Sequence, residues 1–139
     1  MAVCDNYEWQ MTLVRTKDSL EQKLRFKNIV IDKGELKGDV YDESGSTKLS
    51  ALKGTCSATA EELVTVVTFD FSLPRNADRI GIFLAGYGFM PAGFPKAKFR
   101  GYFRAYTPDA STPVSNPESN QIVVVFDPGD TGTGSGMQT

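Results

Sequence analysis

The 139-residue chain contains no histidine. That absence removes Ser-His-Asp and Cys-His catalysis, histidine-containing zinc sites and any histidine pH switch. Cys4 and Cys56 are the only cysteines. They allow one disulfide, but small secreted scaffolds usually carry more, so free thiols are the expectation. Cys56 reads as a small core side chain in a strand rather than a nucleophile. No apolar run approaches the ~20 residues of a membrane-spanning helix. Charge of one sign is also lacking: 15 basic and 17 acidic residues leave a net charge of -2 and are interspersed, which argues against nucleic acid as a partner. The acidic turns Asp39/Asp42/Glu43 and Asp127/Asp130 lack the dense oxygen spacing of a calcium loop, so no metal is expected. Gly129 to Gly136 lacks the lysine and following helix of a phosphate loop, and no cofactor is expected. The first residues, Met1 to Asn6, lack the basic end and apolar stretch of a secretory signal; a cytoplasmic protein and a mature secreted chain both stay open.

What is present is alternation. Hydrophobic residues make up 40% and charged residues 23%, a globular balance that suits one domain over residues 1–139. Eight extended segments succeed one another. Tyr7 to Leu13 is the first, and Leu24 to Ile31 the second, with a phase slip near Asn28 that predicts a β-bulge. Asp32-Lys33-Gly34 predicts a hairpin turn, leading into a strand with Leu36, Gly38 and Val40 inward. Lys48 to Ala58 and Leu63 to Ser72 come next, the latter with Val67, Phe69 and Phe71 on its core face and Val64 and Val66 opposite. Pro74 to Asp78 reads as a turn, Ile80 to Ala85 as a sixth strand and Gly86 to Pro95 as an ordered aromatic loop. Phe99 to Tyr106 is the clearest strand, with Phe99, Gly101, Phe103 and Ala105 on one face. Thr107 to Asn120 reads as a surface excursion, Gln121 to Asp127 as the eighth strand, and the chain from about 128 as a flexible tail. Thr16 to Lys23 and Thr59 to Glu62 are the only places for a short helix.

Strands without strand-helix alternation predict an all-β domain. Short early hairpins, and small residues at the inward positions Gly38, Gly54 and Gly101, favour an eight-stranded antiparallel up-and-down β-barrel. A two-sheet β-sandwich is the alternative, because the long 107–120 connection would suit a Greek key.

Ile31 to Tyr41, with a turn glycine followed by a Gly-Asp-Val-Tyr strand, resembles the second hairpin of avidin-like biotin-binding proteins. Leu52-Lys-Gly-Thr55 and the strand after it resemble the succeeding segments of that family, and Trp9 sits where the family's first strand carries a tryptophan. The resemblance spans about the first half of the chain and implies an eight-stranded, usually tetrameric barrel. The family encloses biotin with several tryptophans; this chain has one.

Three candidate sites emerge. Arg100, Tyr102, Arg104 and Tyr106 share the second face of their strand, about 7 Å apart. They can clamp an anion and stack on a ring, or form a subunit contact. Tyr87, Phe89 and Phe94 can rim a barrel mouth or fold back as a lid. Asp70 lies opposite the core face; inside the barrel it would need Arg100 or Arg104 as a partner. The functional expectation is non-covalent binding of a small ligand or a protein partner by a homo-oligomeric barrel, with no catalytic residue assigned. The alternatives are a histidine-free isomerase or lyase using Asp, Arg and Tyr, and a structural or host-interaction module.

Overall fold

The computed structural model describes residues 8–58, 64–75, 78–89, 96–108 and 119–139. Among them there is no helix, hence none long and apolar enough to cross a membrane. Eight strands run β1 (Trp9–Arg15), β2 (Glu21–Asp32), β3 (Glu35–Asp42), β4 (Lys48–Ala58), β5 (Val64–Arg75), β6 (Asp78–Phe89), β7 (Lys98–Tyr106) and β8 (Thr131–Gln138). Each pairs antiparallel with the next, and β8 pairs back onto β1, so the sheet is a closed up-and-down barrel and not a sandwich. Closure leaves no edge strand.

The inward faces follow the period-two pattern. Trp9, Met11 and Leu13 of β1 are buried, as are Phe69, Phe71 and Leu73 of β5 and Phe99, Phe103 and Ala105 of β7. Phe26 meets Phe69 edge-on at 5.0 Å, and Phe69 meets Phe99 at 5.2 Å, carrying aromatic contact from β2 through β5 to β7. Each such buried ring contributes about 1.5–3 kcal/mol of transfer free energy. At Asn28 the backbone takes φ 57° and the β2–β3 register slips between Lys27 and Val30, the bulge that the phase slip predicts. Lys33 and Gly34, at φ 53° and 83°, form a two-residue turn of type I′ character.

The C-terminal part differs from the sequence expectation. The predicted flexible tail is β8, seated between β7 and β1 and closing the barrel. Its inward residues are Gly132, Gly134, Gly136 and, at its end, Gln138, so it carries no apolar side chain of its own toward the core. A Cβ on Gly134 would lie 2.6 Å from Leu84 Cδ1, and one on Gly136 2.2 Å from Met11 Sδ. Neighbouring strands fill the space that β8 leaves empty. The predicted eighth strand, 121–127, is instead an unpaired strap. Its alternation is as expected, with Val124 and Phe126 buried and Val123 and Val125 exposed. Polar side chains replace the missing ladder. Gln22 Oε1 accepts from Val123 N (2.9 Å) and Val124 N (3.1 Å), Gln22 Nε2 donates to the Gln121 carbonyl, and Arg15 Nη1 donates to the Val125 carbonyl at 2.7 Å.

Smaller corrections have local causes. Residues 16–20 make a tight turn rather than a helix, with Ser19 at φ 59° and Arg15 N bonded to the Leu20 carbonyl. β5 and β6 stay paired out to Arg75 opposite Asp78, so Pro74 lies in a strand. β6 runs on to Phe89, so Tyr87 and Phe89 belong to a strand and not to a loop. Cys56 is disulfide-bonded rather than a free thiol, and Cys4 is the only other cysteine in the chain. The rest of the expected aromatic loop, most of the 107–120 excursion and the 59–62 turn lie outside the described residues.

Candidate functional site

Alternation sends every second residue of β5, β6, β7 and β8 to the outer surface, and the register sets these residues in rows. One row runs Val64, Phe89, Lys98, Met137; the next runs Val66, Tyr87, Arg100, Ser135. Then come Thr68, Ala85, Tyr102, Thr133, and below them Asp70, Phe83, Arg104, Thr131. Scattered apolar exposure is ordinary, but this is contiguous. Tyr102 is 76% exposed, Val66 57%, Tyr87 48% and Phe83 43%. The Tyr87 and Phe89 rings sit 6.2 Å apart.

The structure thus gathers Arg100, Tyr102, Arg104, Tyr87 and Phe89 onto one outer wall, while Phe94 lies outside the described residues. Arg100, Arg104 and Tyr102 have no hydrogen-bond or ion-pair partner among the described residues. Sequence reasoning did not single out Phe83 or Ser135. Phe83 was legible as the outward neighbour of Ile82; Ser135 was masked by the glycines around it.

Asp70 is on the outside and its partner is Tyr106, not an arginine. Tyr106 reaches across β6 and donates its hydroxyl hydrogen to Asp70 Oδ1. Gly81 makes the crossing possible: a Cβ there would lie 2.5 Å from the Tyr106 ring. Burial, then the Asp70 carboxylate, push the Tyr106 phenol above its ordinary value of 10.0. The phenol therefore stays protonated at neutral pH and acts as a donor, which makes it a cross-strand tie rather than a base.

Beyond β7 the surface dips. A trough of about 310 Å³ lies over β8, between Arg100 and Lys98 on β7 and Gln10 and Thr12 on β1. Ser135 and Met137 line it as well. Inside the barrel, two buried polar atoms, Trp9 Nε1 and Thr65 Oγ1, have no hydrogen-bond partner among the described residues. No group of three or more potential metal ligands occurs among the described residues. No family model matches this chain, and neither a curated protein nor a solved structure matches it.

Proposed function

We propose that this barrel is a non-covalent binding protein that acts as a homo-oligomer, its outer wall over β5, β6 and β7 packing against a second copy of the chain. The observation that carries this reading is the contiguous exposed group Val66, Tyr87, Phe83 and Tyr102. A closed barrel has no strand edge to lend, so a partner must meet side chains on a face. Tyr, Phe and Arg are the residue types that interfaces favour.

The register also makes the wall complementary to itself. Turning one copy by a two-fold along β6 lays its β5 over the β7 of the other, row on row. Asp70 then faces Arg104, Val66 faces the stem of Arg100, and Phe83 and Tyr87 meet their own counterparts. Sheets stacked face to face at about 10 Å bring these groups into contact.

Sedimentation at tens of micromolar tests the reading. The wild-type chain is expected to run as a dimer or larger assembly, and Phe83→Glu, changed at an outward position, as a folded monomer. A wild-type chain that is monomeric throughout overturns it.

A further inference from the structure

Beyond the wall, we infer that the trough over β8 is a separate binding site for an acidic sugar, a small saccharide that carries a sulfate or carboxylate. The trough forms where β8 presents Ser135 and Gly136 between Arg100 and Lys98 on β7 and Gln10 and Thr12 on β1. Its volume, about 310 Å³, is at the small end of ligand sites, which suits one or two sugar rings.

The lining has the matching chemistry in order. Arg100, Ser135 and Thr12 stand side by side in one cross-strand row, and Lys98, Met137 and Gln10 in the next. Adjacent strands are about 4.8 Å apart, so Arg100 and Thr12 lie roughly 10 Å from one another along the row. The Arg100 guanidinium has no hydrogen-bond or ion-pair partner among the described residues, whereas Arg15 and Arg25 are each held by a carboxylate. A guanidinium takes a sulfate or carboxylate through paired N–H donors. Two hydroxyls farther along the row, and the Gln10 amide in the next row, then address a body rich in hydroxyls, which an inorganic anion does not have. Phe89 and Met137 supply an apolar edge for the C–H face of a ring.

The site is centred on β8, off the wall; Arg100 borders both surfaces, so Ser135→Gln is the change that tests the trough without touching the wall. β8 is two places from β6 in the strand order, so in an eight-stranded barrel its outer face is turned about 90° away.

Calorimetric titration of the full chain with a sulfated, heparin-derived disaccharide is the test. Saturable binding with one site per chain is expected. Arg100→Gln, which removes the anion contact, and Ser135→Gln, which fills the trough, are each expected to weaken it at least about tenfold. Lys37→Gln removes the same charge from the exposed face of β3 and is expected to leave binding unchanged. Fluorescence of the single tryptophan, Trp9, and far-ultraviolet dichroism verify that each variant is folded. Several results would overturn the inference: no saturable binding, equal losses in Lys37→Gln and Arg100→Gln, or equal affinity for uncharged chitobiose. Displacement of the disaccharide by sodium sulfate at equal concentration would reduce the site to a bare anion contact and would overturn it too. Sedimentation of the same samples reports on the wall separately.

Discussion

Gly81 and Tyr106 show how much one missing methyl group permits. The tyrosine crosses β6 because Gly81 has no Cβ, and only so does its hydroxyl reach Asp70. Gly81→Ala places a methyl 2.5 Å from the ring, and displacing the ring ends the tie to Asp70. The expected cost is about 1–3 kcal/mol, read from the urea midpoint at unchanged slope. The outward position of Asp70 was readable from alternation with Phe69 and Phe71. Its partner was not, because a separation of 36 positions between Asp70 and Tyr106 hides a contact made across an intervening strand.

Among the elements, the strap at 121–127 and β8 exchange the roles that their composition suggests. The valines of the strap look like a strand, yet their backbone is held by the side chains of Gln22 and Arg15. Gln22→Leu keeps the bulk but leaves the Val123 and Val124 N–H groups without an acceptor. Faster amide exchange at both residues is expected, with a loss of about 2–3 kcal/mol. Acid acts on the same element. The Arg15 guanidinium holds the Asp18 carboxyl below its ordinary 3.8. Burial pushes Asp42 and Asp130 up, but hydrogen bonds outweigh it, from Ser44 and Ser119 for Asp42 and from the Asp127 N–H, Lys17 and Arg15 for Asp130, and both end lower. All three therefore bind protons less readily folded than unfolded. Their contribution is complete above about pH 5 and is lost as pH falls through 4 toward the folded values. Thermal unfolding followed from pH 7 to pH 3 is expected to weaken most steeply below pH 4. Between pH 5.5 and 8, with no histidine to titrate, little change is expected.

At the scale of the molecule, closure and the disulfide constrain the same chain. Cys56 is bonded, and Cys4 is the only other cysteine in the sequence, about fifty residues earlier. A disulfide constrains the unfolded chain and is typically worth about 2–4 kcal/mol. Urea unfolding with and without a reductant is expected to differ by that order; coincident curves would show that the bond contributes nothing.

Period-two alternation determined the strand faces, the bulge at Asn28 and the outward Arg/Tyr strip, because side-chain direction along an extended chain is a local property, and the glycine at position 34 marked the Lys33-Gly34 turn. The all-β class came from the same local signal. Only the tertiary structure decided which segment closes the barrel. A strand whose inward positions are three glycines and a glutamine has no hydrophobic signal of its own; Leu84 and Met11, which fill its place, come from strands far away in sequence. The trough over β8 was hidden for the same reason, since it depends on the heights of side chains brought together from β1, β7 and β8.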